Sequence, residues 1–218
     1  YGIPAQNGAQ IAVDEINALG CDIQLEYRFE DDTGVAETAV SAYNTLKDWD
    51  VDVIYGCTTT APCVSVAAET NADRYFQLTP SASSTDVTAG KDNVFQMCFA
   101  DPNQGTASAE YIADQKLGTK IASIWKNDDV YSTGIHDKFV AEAEVKGLEI
   151  VSDTTFTDAS ATDFSVQLND AKDKGADLVF LPMYYTPASL ILTQANAMGY
   201  APKFFGVDGM DGILTVEN

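Results

Sequence analysis

Short apolar runs that could be strands alternate along this chain with stretches of roughly 10 to 15 residues whose apolar positions recur at helical spacing. That alternation leaves little choice of architecture. Strands joined through helices must run parallel, because a crossover returns the chain to the same end of the sheet, and parallel sheets are stable when both faces are covered. IASIW (121–125) and LVFL (178–181) are nearly continuous apolar runs, as expected of strands buried on both faces. The pattern predicts helices over 4–19, 35–48, 61–73, 103–116, 131–146, 162–174 and 187–198, and strands over 23–29, 51–55, 75–78, 93–97, 119–125, 148–152, 177–181 and 203–206. The fold class is α/β with parallel sheets. Two series of this kind meet near MCFADP (97–102), so two lobes, 1–99 and 100–218, are expected rather than one large sheet.

With 218 residues, 45% hydrophobic and 21% charged, the chain can bury a sizeable core in one domain or two modest ones. Acidic residues outnumber Lys and Arg 33 to 12, a formal charge of −21, and no basic stripe interrupts them. Nucleic acid is thereby excluded as a partner, and the charge itself reads as solubility. No apolar run reaches the ~18 residues of a membrane span. The chain opens on Tyr1 rather than Met, so upstream residues are expected to have been removed.

In open parallel sheets ligands gather at the carboxyl ends of strands, where loops enter helix N-termini. Four such junctions are rich in hydroxyls, aromatics or acid: GCTTTAPC (56–63), TPSASSTD (79–86), KNDDVYSTG (126–134) and MYYTPAS (183–189). A fifth, FGVDGMDG (205–212), carries Asp208 between glycines. GCTTTAPC argues against several chemistries. Cys57 and Cys63 are too few for zinc, the single histidine, His136, lies in a helical stretch, and C-x5-C is the wrong spacing for a redox motif. No nucleophile elbow, Walker loop or dinucleotide fingerprint occurs, so neither catalytic residues nor a cofactor is expected. Two readings stay open. The threonines either cap their helix, with Thr60 as the N-cap, or offer hydroxyls and free N–H groups at the positive helix tip to a carboxylate. The neighbouring TPSASSTD adds hydroxyls and the carbonyl of Ser81, acceptors for an ammonium, so a zwitterion fits the pair.

NGAQIAVDEINALG, IYGCTTTAPCVSVA, YFQLTPSASSTDVT, FADPNQGTASAEYI, VYSTGIHDKF, DFSVQLNDAKDKGADLVFL and FFGVDGMDG, in that order and spacing, resemble the type I periplasmic binding proteins of ABC importers, and within them the leucine/isoleucine/valine-binding branch. The resemblance covers essentially the whole chain. It implies two Rossmann-like lobes that close about a hinge over one free amino acid, branched-chain or aliphatic ligands being favoured and aromatic or small polar ones compatible. It places the carboxylate grip on Thr60 with Thr59 adjacent, the ammonium site on Ser81 and Ser83 and on Asp208, closing aromatics on Tyr131 and Tyr184, and a tyrosine at the mouth on Tyr1. It also implies no metal, an ABC transporter permease as partner, an extracytoplasmic setting in the periplasm or as a cell-surface lipoprotein, and contact with membrane only through an upstream lipid anchor.

Against the family pattern, the first lobe (1–99) lacks its first strand and the second (100–218) lacks the segments that return to the first. The chain therefore reads as truncated at both ends. In an exported protein four cysteines permit pairing, and Cys57 with Cys63, flanking the site loop, is the expected pair, four buried thiols being the alternative. The same fold also serves as the sensing domain of receptors, and an amide-processing enzyme is a remoter reading.

Overall fold

The computed structural model describes residues 1–216, which fall into two compact units, Tyr1–Phe99 and the remainder from Ala100. The first unit contains helices α1 (Gly2–Ala18), α2 (Ala36–Asp48) and α3 (Thr60–Asp73) and strands β1 (Val53–Tyr55), β2 (Phe76–Thr79) and β3 (Val94–Gln96). Its sheet has the order β1-β2-β3, all parallel, with Val53 opposite Phe76 and Gln77 opposite Val94. One face is covered: Ala39 and Tyr43 of α2 pack with Ile54 and with Val66 of α3, and Cys63 and Ala67 pack with Ala82, Val87 and Val94. On the other face Val53, Tyr55, Phe76 and Phe95 are exposed, the last two with stacked rings 5.3 Å apart.

The helix expected over 4–19 forms, but it buries none of its residues. The strand expected over 23–29 does not form. Ile23, Leu25, Tyr27 and Phe29 do alternate, yet a strand exists only through a ladder with a neighbour, and here the backbone bonds to a side chain. The Leu25 N–H donates to Asn17 Oδ1 (2.7 Å), and the Leu25 carbonyl accepts from Asn17 Nδ2 (2.9 Å).

The second unit contains α4 (Asp101–Asp114), β4 (Lys120–Lys126), α5 (Val130–Lys146), β5 (Glu149–Phe156), α6 (Ser165–Asp173), β6 (Leu178–Leu181), α7 (Tyr185–Ala197) and β7 (Lys203–Gly206). Its parallel sheet has the order β5-β4-β6-β7. The continuous apolar runs are explained by strand parity. Ala122, Ile124, Val179 and Leu181 face one layer with Leu168 of α6 and Ile191 of α7, while Ile121, Leu178 and Phe180 face the other with Ile112 of α4 and Phe139 of α5. Phe139 and Phe180 stack at 3.8 Å, so the sheet is sealed on both sides. The chain leaves β4 for β5 on one flank and then places β6 on the other. The crevice at this switch point lies at the carboxyl ends of β4 and β6.

Candidate functional site

In the first unit the junctions after β1 and β2 are built as one piece by a buried threonine. Thr79 Oγ1 donates to the Cys57 carbonyl at 2.6 Å and accepts from the N–H groups of Ala82 (3.0 Å) and Ser81 (3.3 Å). Gln77, wholly buried on the same strand, donates from Nε2 to the Gly56 carbonyl at 2.8 Å. Gly56 turns the chain at φ 131°, a conformation that favours glycine. The sequence reading placed Thr79 within TPSASSTD without its tying role and passed over Gln77; their signal was only a polar residue on each buried position of a short strand.

The helix begins one residue earlier than expected. Thr59 is the N-cap of α3, with extended backbone, and Thr60 lies in the first turn. Thr60 is 1% exposed, and its Oγ1 accepts from the Ser83 N–H at 3.2 Å. The expected capping role of Thr60 is thus replaced by a tie between the two loops, which leaves its O–H proton to donate. Ser83 is buried and Ser81 half-buried; Gln96 occupies the carbonyls of Ala82 (2.7 Å) and Ser84 (3.1 Å) rather than that of Ser81. Thr59, Thr60, Ser81 and Ser83 are therefore brought together at the positive tip of a 14-residue helix, an arrangement that can hold an anion beside acceptors for a cation.

Tyr1 lies elsewhere in this unit. It lines a cavity of about 400 Å³ with Tyr27, Phe29, Trp49, Tyr55 and Thr59, which reaches the edge of the threonine loop but neither Ser81 nor Ser83. All four cysteines are free thiols. Cys57 and Cys63 lie against each other across the start of α3, and the hydrogen bond to Cys63, then burial, push the Cys57 thiol well above its ordinary range.

In the second unit Tyr131, Tyr184 and Asp208 converge at the carboxyl ends of β4, β6 and β7. Asp129 caps α5, its Oδ1 accepting from the Tyr131 N–H at 3.1 Å, and Ser132 Oγ donates to the Pro182 carbonyl at 2.5 Å, which locks the β4–α5 junction to the β6–α7 junction. Tyr131 and Tyr184 stack at 4.5 Å and 12°. The Tyr131 hydroxyl donates to Asp208 Oδ1 at 2.5 Å and accepts from the Gly209 N–H at 2.9 Å. Burial, and next the charge of Asp208, push the Tyr131 phenol far above its ordinary range, so it stays a neutral donor. At 2% exposure Tyr131 is a supporting residue that aims Asp208, whereas the half-buried Tyr184 and exposed Asp208 remain accessible. A side chain at Gly209 would place Cβ 2.7 Å from the Tyr131 hydroxyl, which accounts for the glycine after the acid.

His136 has a structural setting. Its ring stacks on Trp125 at 4.1 Å and pairs with Asp153 at 3.0 Å and Asp137 at 3.2 Å. No helix among the described residues is long and apolar enough to cross a membrane.

Comparison with known proteins agrees with this architecture. The sequence profile described as periplasmic binding protein matches residues 1–215. The Leu/Ile/Val-binding protein homolog 3 of Brucella melitensis biotype 1 is 28% identical over 213 residues, and the Leu/Ile/Val-binding protein BraC3 of Rhizobium johnstonii is 28% identical over 215, each covering 96% of this chain. The chain spans 57% and 58% of the length of these two relatives. Among solved structures, the branched-chain amino acid transporter substrate binding protein LivJ of Streptococcus pneumoniae, in complex with isoleucine, superposes with a TM-score of 0.85 at 31% identity, over 94% of this chain and 59% of that one. The chain belongs to the type I periplasmic binding protein family and resembles its leucine/isoleucine/valine-binding branch.

Proposed function

We propose that this chain is the ligand-capturing part of an extracytoplasmic solute-binding protein of an ABC importer, and that it takes a free amino acid, with branched-chain and aliphatic side chains favoured. Its role is binding rather than turnover. The observation that carries the reading is the Thr60–Ser83 tie at the α3 tip, which sets hydroxyls and helix N–H groups toward a carboxylate. Support comes from Asp208, whose carboxylate is held by a neutral buried phenol and suits an ammonium. A zwitterion carries one charged end suited to each set, and a ligand lacking either end leaves polar groups desolvated without partners. The side-chain preference rests on packing, where one methylene is worth about 1–3 kcal/mol, and here the similarity to Leu/Ile/Val-binding relatives supports aliphatic ligands. Contacts that the ligand makes only in a closed state shift the protein toward that state, which a permease of the importer recognises.

A thermal-shift screen of the twenty amino acids tests this. A ligand at about 100 times its Kd stabilises by about 2.7 kcal/mol. The melting temperature then rises by about 5–11 °C for a chain of this size. The shift disappears in Thr60→Ala and Asp208→Asn, each compared with its own unliganded melt because Thr60 also ties two loops together. No shift with any amino acid, or equal shifts in both variants and the unchanged protein, overturns the proposal.

A further inference from the structure

Asp208 is held from two directions, and only one of them is the tyrosine. Its backbone N–H donates to Oε1 of Gln104 at 3.2 Å, a contact between residues 104 positions apart. Gln104 stands in the first turn of α4, and its reach depends on how closely that turn approaches α5. At the next residue, Gly105, a Cβ would fall 2.2 Å from the Ile135 carbonyl oxygen and 2.8 Å from the Phe139 nitrogen, so only glycine lets the two helices meet there. Packing of α4 on α5 thus places the Gln104 amide beneath the turn that carries Asp208. The amide nitrogen of Gln104, Nε2, is buried and has no hydrogen-bond partner among the described residues. A side chain chosen for stability alone would be apolar there, because a buried donor without a partner is a cost that methionine of similar shape avoids.

We infer that Gln104 is a positioning residue for the ammonium-binding acid: it fixes the backbone of Asp208 while Tyr131 fixes Oδ1, so that Oδ2 is presented to the ligand. This rests on the amino-acid reading of the site. The specificity it confers is for the amine of the ligand. Side-chain packing and the carboxylate grip lie on other residues.

The test is calorimetric titration of the full chain with L-leucine and with 4-methylpentanoate, which keeps the side chain and carboxylate but lacks the amine. Gln104→Met is expected to weaken L-leucine about tenfold while changing 4-methylpentanoate less than about twofold, and Gln104→Met/Asp208→Asn to bind L-leucine no more weakly than Asp208→Asn alone. Gln104→Glu keeps the acceptor and restores the selectivity for the amine, though its charge lies near Asp208. It also serves as the readable variant if Gln104→Met shows no cooperative melt, in which case a selectivity for the amine equal to that of Asp208→Asn overturns the inference. Equal weakening of both ligands by Gln104→Met marks a merely structural residue and overturns it as well. If Asp208→Asn loses the preference for the amine and Gln104→Met keeps it, the inference fails while the functional reading stands. If the unchanged protein binds no amino acid, or Asp208→Asn leaves the preference for the amine intact, the functional reading fails first and takes this one with it; should another amino acid give the largest shift in the screen, it and its deaminated analogue replace L-leucine and 4-methylpentanoate.

Discussion

Replacing Tyr131 by Phe removes one oxygen from a buried ring and isolates what that oxygen does. The ring keeps its volume and its 4.5 Å stack on Tyr184, so no cavity opens and the transfer of apolar surface is unchanged. Two hydrogen bonds are lost: the donation to the Asp208 carboxylate at 2.5 Å and the acceptance from the Gly209 N–H at 2.9 Å. A bond to a charged group contributes about 1.5–3 kcal/mol, and a neutral bond such as that to the Gly209 N–H about 0.5–1.5. Asp208 is exposed, so water replaces part of what its carboxylate loses, and the low end of both ranges applies. The expected total is about 2–3 kcal/mol. That corresponds to a melting temperature lower by about 5–10 °C.

The same substitution frees the Asp208 side chain to rotate. Ligand affinity, measured by calorimetry, is expected to fall about tenfold through the orientation it loses. Differential scanning calorimetry reads the stability, and near-ultraviolet circular dichroism checks that the aromatic stack persists. A melting temperature within about 2 °C of the unchanged protein, with the stack intact, refutes the claim that this hydroxyl organises the turn after β7.

Four further outcomes follow from the same geometry. Thr79→Val keeps the shape of a wholly buried side chain but breaks its bonds to Cys57, Ser81 and Ala82, so a loss of about 2–4 kcal/mol in chemical denaturation is expected, with Thr79→Ser near neutral. Burial would raise the Asp153 carboxyl, but hydrogen bonds from His136 and Trp125 and the charge of His136 outweigh it and hold the group below its ordinary value. A depressed carboxylate contributes stability above its unfolded pKa of about 3.9 and loses it as pH falls through the folded value, so Asp153→Asn should flatten the melting-temperature curve below about pH 4. Phe139→Ala removes a fully buried ring stacked on Phe180 and should cost about 3–5 kcal/mol by urea titration. Phe76→Lys/Phe95→Lys should lower the fluorescence of a bound apolar dye without lowering the melting temperature, because both rings lie on the exposed face of the first sheet.

The elements that were legible in the sequence are those whose period decides their burial. LVFL and IASIW could be read as doubly covered strands because each successive side chain meets a different helical layer. Residues 23–29 carried an equally clear alternation and yet form no strand, since alternation reports a preference for two faces but says nothing of a neighbour to pair with. At the candidate site, residue types and junction positions pointed to Thr60 and Asp208, and the family resemblance added Ser83. They did not say which hydroxyl caps α3 and which ties two loops together, a choice made by Ser83, 23 positions further on. The resemblance singled out Tyr131 as a closing aromatic, but its burial depends on Tyr184 and Gly209. Gln104 is one polar residue among several in PNQGTAS, and only the Gly105 crossing singles it out.

Under the proposed amino-acid reading, the α3 tip and the Asp208 turn would meet different electrostatic demands, set in part by the charge of the chain. With a formal charge of −21, the field around the protein repels anions, so a carboxylate can be held only where local donors outweigh that field. In that reading the α3 tip would meet this need with N–H groups and hydroxyls, which carry no counter-charge that must be desolvated. The ammonium end needs no help from a distance, and a single carboxylate suffices if it is held still. In the second unit Asp208 is held by Tyr131 at the side chain and by Gln104 at the backbone. A dicarboxylate ligand would bring net negative charge into this field, and a simple carboxylic acid would leave Asp208 facing an anion without a partner. Under the proposed function, an overall neutral zwitterion avoids both penalties, which would favour the amino-acid class before any side-chain pocket is consulted.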